Sequence, residues 1–260
     1  MRIHIAAVAI TAMAAHAQTV RFLVPSTHSP APNAALTISL ESDRAPAQWL
    51  QDRCDWLFVK GSGRIANRHD VPPDQPASNA VTINASPNGV TLVGLELRPV
   101  IEAIPRDVLA KNLPGLVADV PALPVRDVIR VRRLESLSTH LRVDPHGGHS
   151  PVATQKNALD VEMRALFDPT MAVPGSDLPV RVYADGSGAS GIRIHAECLD
   201  GGAATIVNAD NAGIAYLPIT HTGRWRIQGH IAKPAPAGSD YDITLYSSTM
   251  TFEVTREAVR

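Results

Sequence analysis

The chain has 260 residues, a formal net charge of -1, and 45% hydrophobic but only 4% aromatic residues. This size suits one large β domain or two sandwiches, whose cores Val, Leu, Ile and Ala would have to fill. No basic patch stands out, so the composition does not indicate a nucleic-acid partner.

The first 17 residues have the pattern of a short secretory signal peptide. Met1-Arg2 supplies a cationic start, an apolar run extends from Ile3 to Ala14, and Ala15-His16-Ala17 offers the small-x-small pattern of a cleavage site. The apolar run is shorter than the roughly 20 residues that span a bilayer. We therefore expect a periplasmic protein that does not span the membrane after cleavage.

Residues 18–100 predict an N-terminal β-sandwich. The candidate strands are Thr19–Val24, Ala35–Leu40, Asp55–Lys60, Ala80–Asn84 and Gly89–Pro99. The turn signal Ser86-Pro87-Asn88-Gly89 and the Pro-rich stretches Ser29–Pro32 and Val71–Pro76 separate them.

The next two segments have a different pattern. Within residues 101–143 we expect two short helices, because Pro105 can begin one and because Val128, Val131, Leu134 and Leu137 recur at near-helical spacing with Arg130, Arg132 and Arg133 on the other face. Residues 144–156 read as an exposed linker by composition.

Residues 157–256 predict a seven-strand sandwich of immunoglobulin-like or transthyretin-like type. Period-two alternation marks strands such as Ile192–Cys198 and Trp225–Ile231, and turn signals such as Asp185-Gly186 separate them. The fold prediction is therefore mainly β, with two β-sandwich domains and a short helical insertion. Cys54 and Cys198 fall in different sandwiches, so separate buried thiols are favoured over a disulfide.

Two groups of histidines are candidate metal ligands. His146-Gly147-Gly148-His149 places two imidazoles three residues apart, which suits Ni, Co, Cu or Zn. His195 and His230 lie on the polar sides of the third and sixth strands, which are neighbours in an immunoglobulin-type sheet, with Glu197 or Gln228 close by. In each case the alternative is a set of solvated histidines with no ligand.

Catalytic motifs are not apparent in the sequence. There is no Gly-x-Ser-x-Gly elbow and no His-Glu-x-x-His helix. A binding function is favoured over an enzymatic one. The loops at the ends of a sandwich are free to vary, which makes adhesion or scaffolding another candidate function.

The order of many small matches resembles a known family. The matches include Phe22-Leu23-Val24-Pro25, Leu95-Glu96-Leu97-Arg98-Pro99, Pro174–Val182, Gly223–Ile227 with His230, and Thr251–Val254. They are similar to a family of bacterial periplasmic proteins of unknown function that is grouped with the periplasmic component of cobalt and nickel uptake systems. Family members often carry a His shortly before the aromatic-Leu-x-Pro run, whereas Val20 and Arg21 precede Phe22 here.

The resemblance implies a two-domain β protein and a role in metal handling. Its partner would be a membrane transporter or another envelope protein, and its ligand a Ni, Co or Zn ion. The candidate ligands remain those indicated by the residues themselves, which are His195, His230 and Glu197 in one group and His146 and His149 in the other. The alternative is a generic protein or glycan interaction module, for adhesion or scaffolding, without a metal.

Overall fold

The predicted mainly β class is confirmed. The computed structural model describes residues 20–42, 54–61, 67–69, 80–144 and 148–255, with only the backbone of 67–69. Of these residues, 55% lie in strands and 9% in helices. The strands are β1 (Arg21–Pro25), β2 (Ala35–Ser42), β3 (Cys54–Lys60), β4 (Asn67–His69), β5 (Ala80–Asn84), β6 (Val90–Pro105), β7 (Val128–Arg142), β8 (Val161–Ala165), β9 (Ser176–Ala184), β10 (Ser187–Gly188), β11 (Arg193–Cys198), β12 (Thr205–Asn208), β13 (Ile214–Ile219), β14 (Gly223–Pro234) and β15 (Ile243–Val254). The α-helix α1 spans Arg106–Leu116, and 3-10 helices cover Pro151–Thr154 and Pro169–Met171.

One eight-stranded sheet joins the two halves of the chain. Its order is β12-β11-β14-β15-β7-β6-β3-β4. Its neighbouring strands are antiparallel except β7 and β15, which run parallel with Ile243 opposite Val131 and Thr251 opposite Thr139. This central sheet therefore contains strands from both predicted sandwiches. The predicted domain bounds at 100, 143 and 156 stay a prediction.

Two smaller sheets cover opposite faces of the central sheet. We call the face that carries Leu95, Leu137 and His230 the front and the face that carries Trp225 and Phe252 the back. The sheet β1-β2-β5 packs on the front, where its alternate apolar residues meet those of β3, β6 and β7. The sheet of β8, β9, β10 and β13 packs on the back against β11, β14 and β15. Each contact is the face-to-face packing of a β-sandwich.

The strands of the C-terminal half agree with the sequence prediction. All seven form, and their predicted inward residues, such as Val180, Ile194 and Trp225, are buried in the back core. Cys198 lies in that core and Cys54 lies in the front core. The two cysteines are thus buried in separate cores, as the sequence analysis expected.

The predicted pair of helices is half wrong. Arg106–Leu116 is helical, but Val128–Arg142 is the central strand β7. Apolar residues face both sides of this strand because both of its faces are covered: Leu137 packs in the front core and Leu134 packs on the back beside Tyr246. A strand buried on both sides loses its period of two, so its apolar positions can imitate helical spacing.

The predicted exposed linker is also partly wrong. Ser150, Val152 and Ala153 are buried, and the last two lie in the 3-10 helix. The backbone N–H of Ser150 donates to Asp168 at 3.3 Å, which ties the segment to the back of the sheet. Residues 145–147 lie outside the described residues.

The close packing of β3 against β6 predicts a strict size limit at Gly94. A Cβ at this position would lie 2.0 Å from the ring of Phe58, which is buried. We expect Gly94→Ala to lower the free energy of unfolding by about 1–3 kcal/mol through overpacking, measured by urea denaturation. Gly115→Ala is the matched control, because a Cβ there meets nothing within 4 Å. A Gly94→Ala cost that stays the same in a Phe58→Leu background would contradict the explanation.

Candidate functional site

A strip of polar residues crosses the front face between two apolar clusters. Along β7, Val131 belongs to the cluster under α1 and Leu137 belongs to the core under β1-β2-β5, with Arg133 and Glu135 between them. The strip continues over β15, β14 and β11. Its members are Arg133, Glu135, Ser247, Arg226, Gln228, His230, His195 and Glu197. The strand register therefore gathers polar residues from both halves of the chain.

His195 and His230 are brought together as predicted. They lie on adjacent antiparallel strands, where His195 is opposite Gln228 and His230 is opposite Arg193. They are thus diagonal neighbours on one face, a relation that places Cα atoms about 7–8 Å apart. The other two predicted ligands are not part of this pair. His149 is exposed and stacks on Phe167 with ring centroids 5.9 Å apart, and His146 lies outside the described residues.

His230 is buried, although the alternation predicted a side chain facing water. It is 8% exposed, because α1 and β1-β2-β5 cover the front face on both sides of it. Its Nδ1 is hydrogen-bonded to Ser247 Oγ at 2.9 Å. Burial, together with the charges of Arg133 and His195, lowers the pKa of His230 to about 4, whereas the charge of Glu135 opposes this shift. The ring is therefore neutral at pH 7.

His195 is half-buried under the C-terminal end of α1. Arg193 Nη1 donates to the carbonyl of Pro114 at 2.5 Å, which fixes the end of the helix over β11. Burial and then Arg193 lower the pKa of His195, while Glu197 and a hydrogen bond to the backbone of Gly115 oppose the shift.

Glu197, the predicted carboxylate ligand, is engaged elsewhere. Arg226 Nε donates to Glu197 Oε1 at 2.6 Å, and the guanidinium of Arg226 also lies 4.6 Å from the ring centroid of Phe22. Among the described residues, no group of three or more His, Cys, Asp or Glu side chains is arranged to hold a metal ion. The predicted His-His-Glu set is therefore not assembled around one point.

The strip contains a buried ion network. Glu135 pairs with both Arg21 and Arg133, and Arg133 also pairs with Glu102 at 3.4 Å. The side chains of Arg21, Arg133 and Glu135 are each at most 4% exposed. Burial by itself would lower the pKa of Arg133, but the charges and hydrogen bonds of Glu135 and Glu102 outweigh this effect, so the pKa is raised. This network connects β1, β6 and β7.

We expect Glu135→Gln to destabilise the fold by about 3 kcal/mol, because it leaves two buried cations without this shared carboxylate. Urea denaturation measures the change. The control is Asp240→Asn, which removes the exposed pair with Arg130 and should cost less than about 1 kcal/mol. Equal effects of the two variants would show that the buried network does not couple β1 to the central sheet.

A second histidine on the central sheet is also buried and neutral. His140, on the back of β7, is 3% exposed and lies 3.2 Å from the carbonyl of Ala153 through Nε2. Burial lowers its pKa to about 4, against the opposing effects of Asp168 and of this hydrogen bond. Its pKa is thus below that of an ordinary histidine, about 6.5.

This depressed pKa predicts that stability falls as the pH drops from about 6.5 to about 4. In that window the imidazole binds a proton in the unfolded state but not in the folded state. Each buried histidine therefore contributes a slope of up to about 1.4 kcal/mol per pH unit to the free energy of unfolding. We expect His140→Gln, which keeps a donor for Ala153, to have a smaller slope than the wild type in urea unfolding at pH 6.5 to 5. The exposed His149→Gln should keep the wild-type slope. Parallel slopes for wild type and His140→Gln would contradict the expectation.

A cavity of about 230 Å³ lies where β1 and β2 meet β14 and β15. Its lining residues are Phe22, Leu23, Val24, His28, Glu41, Leu199, Arg224, Trp225 and Thr251. Leu23 and Trp225 are each 2% exposed, whereas Glu41 is exposed and the side chain of Arg224 is 47% exposed. The walls are therefore mainly apolar, and one cation and one anion lie among the exposed lining residues.

Polar contacts hold the mouth of this cavity. Arg224 binds Asp200 through Nε at 3.0 Å and Nη2 at 2.6 Å. Burial, followed by the charge of Arg224, lowers the pKa of His28 to about 4, so a neutral imidazole forms part of the wall. Sequence reasoning missed this site, because its residues come from segments as far apart as Phe22 and Thr251 and share no motif.

No protein family profile and no curated protein matches the chain. Three of the solved structures that match are the following. A two-domain fibronectin type III segment of chicken tenascin has 12% identity and a TM-score of 0.21, and the match covers 87% of this chain and 95% of that one. A tetra-tandem repeat from the extending region of a large adhesion protein has 11% identity and a TM-score of 0.23, over 92% of this chain and 50% of that one. Three N-terminal domains of the outer capsid protein Hoc of bacteriophage RB49 have 8% identity and a TM-score of 0.20, over 91% and 99%.

These matches are too distant to carry an argument about function. The resemblance to the periplasmic family stays a prediction. Within the described ranges, no helix is long and apolar enough to cross a membrane.

Proposed function

We propose that the chain is a non-catalytic interaction module that recognises a partner protein by taking one apolar side chain into the cavity beside Trp225. The observation that supports this proposal is the cavity itself, whose lining includes the apolar residues Phe22, Val24 and Leu199 and, among its exposed members, Glu41 and Arg224. A concave apolar site with few polar groups is the usual form of a binding site.

The size of the cavity favours a side chain over a cofactor. Small-molecule sites usually measure about 300–1,000 Å³, and this cavity of about 230 Å³ is smaller. Protein interfaces are commonly anchored by one bulky side chain that fills a desolvated pocket, with a polar rim around it. Glu41 and Arg224 would serve as that rim, since they carry opposite charges that can fix the orientation of a partner backbone.

The cellular setting of the proposal comes from the sequence. The signal-like segment 1–17 supports an envelope location, and the partner would then be a transporter or another envelope protein. Association with a nickel or cobalt uptake system rests on the family resemblance alone. The proposal of an adhesion or scaffold role depends on the cavity and not on the family resemblance.

Trp225 offers a direct test, because it lines the cavity and can be made the sole tryptophan by Trp49→Phe and Trp56→Phe. We expect its fluorescence to change saturably with N-acetyl-leucinamide or N-acetyl-phenylalaninamide. At about 0.3 kcal/mol per heavy atom, probes of this size bind in the millimolar range. Maltose and N-acetylglucosamine should have no effect.

Two matched variants separate the cavity from the rest of the surface. Leu199→Phe reduces the space in the cavity, and we expect it to abolish the response. Leu166→Phe makes the same change at another half-buried position, one that does not line the cavity, and should bind as the parent does. The proposal fails if neither probe gives a saturable response, if Leu199→Phe binds as tightly as Leu166→Phe, or if only a sugar binds.

A further inference from the structure

Several buried polar atoms on the front face have no hydrogen-bond partner among the described residues, and three of them lie on the adjoining strands β11 and β14. These three are His195 Nε2, Gln228 Oε1 and His230 Nε2. A buried polar atom without a partner costs about 1–3 kcal/mol, and such atoms are few in folded proteins. Three of them on one small area therefore call for a common explanation.

The strand register places these three side chains together. Gln228 is directly opposite His195 across the β11–β14 pair, and His230 follows Gln228 by two residues on the same strand. All three project from the front face. Their mutual influence is also electrostatic, since the charge of one imidazole lowers the pKa of the other.

The opposite nitrogen of the His230 imidazole is already hydrogen-bonded. Nδ1 of His230 is bonded to Ser247 at 2.9 Å. His195 lies against the backbone of Gly115. When Nδ1 of His230 donates to Ser247, Nε2 presents a lone pair, which is the usual arrangement of histidines that bind metals.

Two of the three cations around these atoms are paired with carboxylates, whereas Arg193 donates to a neutral carbonyl and keeps its charge beside His195. Arg226 is paired with Glu197, Arg133 with Glu135 and Glu102, and Arg193 with the carbonyl of Pro114. The C-terminal end of α1 also lies above His195, and a helix C-terminus favours a cation. The two paired arginines thus do not by themselves exclude a metal ion from this position.

We propose that His195 Nε2, His230 Nε2 and Gln228 Oε1 bind one transition-metal ion of the Zn, Ni or Co class. Imidazole nitrogen suits these borderline metals, and an amide oxygen adds a neutral ligand. This set differs from the sequence prediction, because Gln228 replaces Glu197, which is committed to Arg226. The site is separate from the cavity beside Trp225 and does not depend on the proposed interaction function.

The test is a calorimetric titration of the untagged, metal-free full chain with Zn(II), Ni(II) and Co(II) at pH 7.5, where free imidazole is mostly neutral. We expect saturation near one equivalent for at least one metal. His195→Gln and Gln228→Leu should each weaken binding at least about ten-fold, since each removes one ligand. Glu197→Gln should weaken binding less than either of these variants, because it removes no ligand and only leaves the charge of Arg226 unpaired.

The double variant His146→Ala/His149→Ala is the control for the other predicted histidine group, and it should bind as the wild type does. Because His230 is buried, the half-buried His195 is the safer position for a ligand variant, and circular dichroism verifies that each variant is folded. A second measurement follows the urea midpoint, which metal should raise in the wild type and in Glu197→Gln but not in His195→Gln.

Three results would overturn the inference. The first is no saturable binding of any of the three metals up to millimolar concentration, which would leave an internal water as the group that satisfies these atoms. The second is binding that survives His195→Gln and is lost in His146→Ala/His149→Ala. The third is binding that Glu197→Gln abolishes while Gln228→Leu does not.

Discussion

The parallel pairing of β7 with β15 is the constraint on which the rest of the structure depends. It runs from Ile243 opposite Val131 to Thr251 opposite Thr139 and joins strands that are more than 100 residues apart in sequence. Closing so long a connection costs chain entropy, and parallel strands need a long crossover in any case. Once the pair forms, the strands of both halves lie in one sheet whose two faces must both be covered.

The chain covers the two faces with different parts of its sequence. The C-terminal half supplies its own cover, since β8, β9 and β13 pack on the back over β11, β14 and β15. The front is covered in two pieces, by β1-β2-β5 and by α1. A polar strip remains between the two pieces. It is buried only because its neighbours on either side are covered. Its histidines and its ion network are therefore shielded from water, although they are not packed in an apolar core.

The local alternation of apolar and polar residues predicted much of the fold, because most strands keep one side that is solvent-exposed or polar. In β11 and β14, for example, Ile194 and Ile227 alternate with His195 and Gln228, and the strand and its inward face follow directly. The same reasoning failed at β7, where Leu134 and Leu137 face opposite covered sides. It also failed at His230, since alternation distinguishes the two faces of a strand but not which polar face another segment will cover. The neighbouring positions of His195 and His230 were predictable from sandwich topology, whereas the pairing of Glu197 with Arg226 needed the exact register.

The residues of the buried polar strip have different roles, which depend on whether their polar groups are paired within the protein. Glu135 is shared by two arginines, and Glu197 is held by one, so the carboxylates of the strip stabilise the contact between its strands and β1. A buried pair of this kind adds little net stability compared with apolar residues, but it penalises any register that separates the partners. His195, Gln228 and His230 differ, because each buries an atom that no described residue satisfies. The strip thus contains both charges that fix the register of the sheet and acceptors that a small ligand could satisfy, and the second property does not follow from the first.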